Sequence, residues 1–253
     1  AHKWKNKKGT NEWEKGKLAD KEAPQILFIE RCYQLLKDGG RMAIVLPEGI
    51  FGNPTDRHIW YYILQHSRIE AIISTPAETF QPNTHFKTSV LIIKKTKEKV
   101  LDDYPIFMGI ANTCGHNKNG KDIFKINADG SFILDQKGNK IIDDELPLVV
   151  EKFKQFKSDS LKQYSHNGFV VNYSEIRNNI FIPDYYDPDL KKALTDMNLS
   201  NNYLIKSIAE LEKEKIISTR RGNEIGSQFY GCGSIPFIRT SDIVNWELKI
   251  DPT

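Results

Sequence analysis

The sequence has few cysteines, no long apolar run and almost no net charge. Cys32, Cys114 and Cys232 lie far apart and form no CxxC pair. That argues against a disulfide framework and a cysteine-based zinc site, and it points to a reducing, cytoplasmic setting. Apolar runs such as Ala43–Leu46 and Val90–Ile93 fall far short of the roughly 18 residues a membrane span needs, so no membrane partner is expected. The opening residues are polar and Lys-rich, with no apolar stretch that would read as a signal peptide. Lys and Arg number 36 against 33 Asp and Glu, a formal charge of +3. This excludes a histone-like blanket of positive charge but leaves room for a local basic face. There is no P-loop, no nucleophile elbow and no H-E-x-x-H motif. Gly231-x-Gly233 does not follow a strand and open a helix, so it is no dinucleotide fingerprint. His58, His66 and His85 are scattered and read as ordinary surface or core histidines. No metal site is expected.

What is present is enough to build a core. The chain has 253 residues, 39 % of them hydrophobic and 11 % aromatic, room for one to two domains at roughly 150 residues each. Residues 1–23 show no amphipathic period and read as an extended or mobile segment, with Trp4 and Trp13 as docking points. PQILFIERCYQLLK (24–37) is a helix with Pro24 in its first turn. Its buried face is Ile26, Ile29, Cys32, Tyr33 and Leu36, and Asp38-Gly39-Gly40 ends it. RMAIVLP reads as a strand buried on both faces and closed by Pro47. A helix over Asp56–Ser67 follows, with Ile59, Tyr62, Ile63 and His66 on one face. IEAIIS (69–74) and TSVLIIKK (88–95) are further buried strands. This order is half of an open α/β sheet. Ligands in such sheets bind off the carboxyl ends of the strands, so the loops Pro47–Thr55 and Thr75–Thr88 matter most.

The character then changes. Residues 122–142, broken at Asp129-Gly130 and Lys137-Gly138-Asn139, read as a hairpin or small β meander. A calcium loop fails there, because its first and last liganding positions would be Lys125 and Gln136. Glu145–Phe156 is a short amphipathic helix. Residues 165–199 read as a linker that packs through its aromatics. Leu204, Ile208 and Leu211 mark a helix capped near Ser200 or Asn201 and ending in Glu212–Lys215. The remainder reads as irregular β structure that stops in mid-pattern at Thr253, so the natural chain is expected to continue.

Two stretches carry a resemblance. PQILFIERCYQLLKDGGRMAIVLPEGIFGN, followed by ISTPAETFQPNTHFKTSVLIIKK, resembles the DNA adenine-N6 methyltransferases of type I restriction-modification systems and the type IIG enzymes that fuse modification to recognition. GGRMAIVLPEG is similar to that family's fifth strand, and ETF…KTSVLIIKK to its last loop and strand. Further on, YYDP and RGNEIGSQFYGCGSIPFIRTSDI resemble the start of a target-recognition domain, as in type I specificity subunits. The family's Gly-rich S-adenosylmethionine loop is absent, and so is its Asn-Pro-Pro-Phe/Tyr motif. Asn53-Pro54-Thr55 is no substitute, since it follows the wrong strand and lacks the second proline and the aromatic. No catalytic residue is therefore assigned, and cofactor-binding residues stay unassigned.

The resemblance implies an α/β fold: a partial Rossmann-like methyltransferase sheet made of the carboxyl-terminal strands, then a β-hairpin and helical connector, then the start of an α+β target-recognition domain. The divisions would be 1–96 for the back half of the catalytic domain, 97–165 for its extension, 166–215 for linker and connector helix, and 216–253 for the start of recognition. A base flipped out of duplex DNA would meet Phe80, with Phe86 and Pro47 also lining the pocket. Lys87 could reach a phosphate. Arg220, Arg221 and Arg239, with Thr240 and Ser241, would face DNA. Arg239 lies in a phrase shared across specificities, which points to fold or backbone contact rather than base readout. Double-stranded DNA, restriction and specificity subunits or domains, or the missing amino-terminal half would be the partners. S-adenosylmethionine would be the parent's cofactor, and the fragment alone would be inactive, with an unpaired strand edge.

Two rival readings remain. One is a non-catalytic DNA-binding or assembly module bridging recognition and modification units, which unlike an enzyme part would bind no S-adenosylmethionine. The other is a split gene product with no independent role.

Overall fold

The computed structural model describes the backbone of residues 2–6, 13–18, 22–200, 204–220, 228, 243–244 and 247–248, and the side chains of 22–200, 204–220 and 228. The chain divides into two compact units, Ala1–Leu199 and Ser200–Thr253.

In the first unit the amino-terminal stretch, expected to be extended or mobile, contains a strand pair. These are the antiparallel strands β1 (His2–Asn6) and β2 (Trp13–Leu18). The side chains of Trp4 and Trp13 lie outside the described residues. Helix α1 (Pro24–Leu35) starts on Pro24 and buries Ile26, Ile29 and Tyr33, as its three- and four-residue spacing requires. Strand β3 (Arg41–Pro47) follows, then helix α2 (Arg57–Gln65) and strands β4 (Ser67–Ser74), β5 (Thr88–Lys95) and β6 (Pro105–Ile110). Helix α3 (Leu146–Lys157) and strand β7 (Phe169–Asn172) complete the layers. The sheet order is β3-β5-β4-β6-β7. β5 runs antiparallel to both β3 and β4, β6 is parallel to β4, and β7 is antiparallel to β6. The α/β class expected from the sequence is the class found.

Several expectations change. β4 is buried on both faces, but β3 is not: Met42 and Leu46 are buried while Val45 is 48 % exposed. β3 is the outer strand, and among the described residues only β5 pairs with it. A short continuous apolar run does not distinguish the two cases. On α2 the buried face is Ile59, Trp60, Ile63 and Leu64, whereas His66 caps the helix and is exposed. The stretch expected as a linker supplies strand β7, and its Phe169, Val171, Phe181 and Tyr186 enter the main core.

The core has two layers. One face of the sheet packs α1, α2 and the segment around Phe181 into a continuous cluster. On the other face α3 covers β4 and β6, with Val149 against Ala71 and Phe107. Gly109 makes that closeness possible, since a Cβ there would lie 2.8 Å from Val149 Cγ1 and 3.0 Å from the Asn167 carbonyl. Near the other end of that face, Glu70 is buried and answered by Arg41 at 3.3 Å and Lys157 at 3.2 Å.

The meander expected over 122–142 is wider, with bridges from Cys114 to Asp144, and it is regular. Three turns, Asn117–Gly120, Asn127–Gly130 and Asp135–Gly138, each end on a glycine with φ between 76° and 85°, where a side chain would be strained. Lys125 donates its N–H to Ile141, Ile141 to Ile133 and Ile133 to Lys125, which closes a ring of hydrogen bonds. Phe124, Phe132 and Lys140 stand one residue before the three ring members, with the Lys140 ammonium 3.8 Å from the Phe132 ring centre. Helix α4 (Pro188–Leu199) ends the unit and buries no residue.

In the second unit, helix α5 (Ile208–Lys213) is capped by Ser207, whose hydroxyl accepts from the Glu210 amide. It is shorter than the helix expected over 201–215, and Leu204 lies outside it. Strands β8 (Ile243–Val244) and β9 (Glu247–Leu248) pair antiparallel. Among the described residues no helix is long and apolar enough to cross a membrane.

Tyr104 ties β6 to β4. Its hydroxyl accepts from the Ile69 amide at 3.4 Å, its ring stacks on Tyr173 at 5.2 Å, and the Arg68 guanidinium lies 4.8 Å from its centre. Burial pushes its pKa up to about 12, and burial does the same to Tyr62. The neutral phenols therefore favour the folded state below the ordinary tyrosine pKa near 10. That contribution is lost as pH climbs from about 10 through about 12. Denaturant titrations across this window should show stability falling, and Tyr104→Phe should flatten part of the fall. An unchanged slope in the variant contradicts this.

Candidate functional site

Because β3, β4 and β6 point the same way, Pro47, Ser74 and Ile110 all end at one edge of the sheet. Three connections leave from there: 48–56, 75–87 and the meander. Each is built stiffly.

The first is held from beneath by aromatics. Glu48–Phe51 forms a short 3-10 turn that buries Ile50 and Phe51. The Trp60 indole donates to the Ile50 carbonyl at 2.8 Å, and its ring lies 5.5 Å from Phe51 and 4.3 Å from Phe181. The Phe181 amide donates to the Phe51 carbonyl at 2.7 Å. Gly49 and Gly52 cradle no ligand here. A Cβ on Gly49 would meet the Asn53 side chain at 2.9 Å, and one on Gly52 would meet Ile182 at 2.6 Å.

The second connection is pinned at its base. The Thr75 hydroxyl lies 2.9 Å from the Thr88 carbonyl, to which it donates, and 2.8 Å from the Thr88 hydroxyl. At its far end the Lys87 ammonium lies 2.8 Å from Glu48 and 3.3 Å from Asp184. Burial works against the charge on Lys87, but the hydrogen bonds and charges of Glu48 and Asp184 outweigh it and raise its pKa. Lys87 thus ties the loop to the Glu48 turn and to the Pro183–Tyr186 turn that carries Asp184.

The third connection hangs on Glu145. Its Oε2 accepts from the Asn112 amide at 2.8 Å and from Asn167 Nδ2 at 3.1 Å, with His166 Nε2 3.5 Å away.

The structure thus gathers four of the expected residues at one end of the sheet. Pro47 is half-buried and opposite Thr88 in the ladder, while Phe80 and Phe86 stand in the 75–87 loop, 40 % and 73 % exposed. Lys87 is engaged by two carboxylates. Arg220 is exposed in the second unit. Arg221, Arg239, Thr240 and Ser241 lie outside the described residues. Sequence reasoning missed Asp184 and Glu145, whose roles come from partners distant in the chain. It also missed the burial of Trp60, although Trp60 sits one helical turn from Ile63 and Leu64. Among the described residues no group of three or more His, Cys, Asp or Glu is placed to hold a metal ion. Between the 75–87 loop and the meander lies a cleft of about 450 Å³, lined by Glu78, Asn112, Cys114, His116, Asn119 and Asp143 among others.

These features define an α/β protein whose working loops converge at the carboxyl ends of its parallel strands. Residues 1–192 match the N-6 DNA Methylase family, and the chain belongs to that family. It is 32 % identical over 90 residues to the type I restriction enzyme EcoEI methylase subunit of Escherichia coli, a stretch covering 34 % of this chain and 18 % of that subunit. Among solved structures it is similar to a type I restriction-modification methyltransferase subunit from Streptococcus thermophilus. There the identity is 25 %, the coverage 66 % of this chain and 31 % of that one, and the TM-score 0.43. A chain of a type I restriction-modification assembly gives 19 % identity, 77 % and 37 % coverage, and a TM-score of 0.44. The chain therefore spans about a fifth of the curated relative and about a third of the solved ones.

Trp60 carries the rigidity of the first loop. Trp60→Ala removes a fully buried ring and leaves the Ile50 carbonyl unpaired, so a loss of about 3–5 kcal/mol is expected. Chemical denaturation measures it. A loss below about 1 kcal/mol would show that the cluster does not hold the turn.

Proposed function

We propose that this chain is part of a restriction-modification DNA methyltransferase, of type I or type IIG-like organisation, that methylates adenine N6 in a specific duplex sequence. In this reading it supplies the wall of the target-base pocket and the connection to sequence recognition. The supporting observation is an exposed aromatic, Phe80, on a loop braced at both ends at the carboxyl edge of the sheet, in a chain of the N-6 DNA methylase family. Phe80 stacks on the flipped adenine, with Phe86 and Pro47 closing the rim. Arg220, Arg221 and Arg239 would be DNA contacts of the recognition part in this reading. A phosphate reaching Lys87 would have to displace Glu48 or Asp184 from it.

S-adenosylmethionine would be the methyl donor of the whole enzyme. The residues described here do not fit it, because the glycines at the carboxyl edge are filled by Asn53 and Ile182. The cofactor's site belongs to the family's cofactor-binding half, which would pair with the open edge of β3 and cover Ala43 and Val45, both exposed on the far face of that strand. Residues 216–253 would begin the target-recognition domain. Restriction and specificity subunits or domains would be further partners.

One observation favours the rival reading as a non-catalytic assembly module: α4 exposes Leu190, Leu194 and Met197 along one stripe. Methyl transfer decides between them. Labelled methyl groups should pass from S-adenosylmethionine to duplex DNA when this chain and the cofactor-binding half are present together, and not with this chain alone. Phe80→Ala should slow transfer about ten- to a hundredfold, since base stacking on an aromatic is worth about 1–3 kcal/mol. No transfer by the completed protein would favour the module, and a Phe80→Ala rate equal to wild type would remove Phe80 from the pocket.

A further inference from the structure

The cleft between the 75–87 loop and the meander has no role in the reading above. Its volume of about 450 Å³ falls within the roughly 300–1,000 Å³ usual for small-ligand sites. It sits where the sheet places ligands, at the carboxyl end of β6, and Glu78 in its wall is two residues from Phe80.

The lining is rich in hydrogen-bond acceptors. Glu78 is half-buried and brings a carboxylate to the wall. Asp143 offers a carboxylate that accepts a long bond from the Thr113 hydroxyl at 3.4 Å. His116 Nδ1 donates to the Asn117 carbonyl at 3.0 Å, so in the neutral ring Nε2 is an acceptor. Asn112 and Asn119 add amides that both donate and accept, and Ile123 adds an apolar surface. The backbone that carries them is also fixed: the main-chain N–H of Asn112 donates to Glu145, and that of Asn119 donates to Asn117 Oδ1 at 2.9 Å.

Two carboxylates against the single ammonium of Lys118 disfavour a phosphate. A bare cation would leave the asparagine donors and the apolar surface unused. A flat, neutral ligand carrying an exocyclic amine uses all of them: carboxylates accept from the cytosine amine, and asparagine pairs with adenine edges.

We propose that this cleft binds an amine-bearing nucleobase, adenine, cytosine or guanine but not thymine, of the nucleic acid whose flipped adenine meets Phe80. The inference rests on the reading of the chain as a DNA-modifying protein. Glu78 and Asp143 accept from the amine, and Asn112 and Asn119 bond the ring edge. The cleft thereby selects a base beside the target.

The test is a titration of the isotope-labelled 253-residue chain with adenosine, cytidine, thymidine, inorganic phosphate and guanidinium, followed by amide resonances. Adenosine and cytidine at millimolar concentration should shift Glu78 and residues 112–119 and saturate. Thymidine, phosphate and guanidinium should leave those amides in place. Glu78→Ala and Asn119→Ala should each weaken adenosine binding fivefold or more. The proposal is overturned if thymidine binds as well as adenosine, if only phosphate or guanidinium shifts these amides, or if no nucleoside does. This readout involves neither the cofactor nor methyl transfer, so its failure is separate from a failure of the methyltransferase reading.

Discussion

The structure depends on β5 lying between β3 and β4. Thr88–Lys95 is hydrogen-bonded on both sides, antiparallel to each neighbour. That single placement makes β3 and β4 parallel although they are not adjacent. It brings their carboxyl ends to one edge, and it puts the start of β5 there as well. The loop that carries Phe80 must then arch over this edge, because it joins the end of β4 to the start of β5. Ser74 and Ser89, opposite each other across the two strands, are fully buried at its foot.

Around this constraint the loops are braced by contacts of different kinds. Apolar packing holds the 48–56 turn through Trp60, Phe51 and Phe181. Charge holds the end of the 75–87 loop through Lys87. A carboxylate collecting donors at Glu145 holds the start of the meander. The contrast with the far side of β3 is physical. Its edge has no strand partner among the described residues, and Val45 is exposed on a strand whose composition suits burial. One end of the sheet is thus braced by packing and charge, while the flank along β3 stays open among the described residues.

Much of this was legible in the sequence. Thr88–Lys95 was found with the bounds it has, because it is a continuous apolar run between turns. α1 and α3 were found because their apolar residues recur at helical spacing. The double burial of β3 was misjudged because RMAIVLP is as apolar as a central strand, and only neighbours decide whether a second face is covered. β7 was hidden in polar surroundings, four residues long, its register set by β6. The meander carried a signal that was overlooked: Lys125, Ile133 and Ile141 recur every eight residues, with a turn glycine at Gly130 and Gly138 between them. Phe80, Phe86 and Pro47 stand out only through a family resemblance, and all three lie at the carboxyl edge of the sheet. Asp184 and Glu145 could not be read, because each acts on groups far away in the chain.

If the open side of β3 receives the family's cofactor-binding half, as we propose, hydrogen exchange at Arg41–Pro47 will report it. Amides of β3 that point away from β5 should exchange quickly in this chain alone. They should slow at least tenfold in a polypeptide that carries both halves, while the amides of β5 stay slow in each. Equal exchange at β3 in the two proteins would show that nothing docks on that strand.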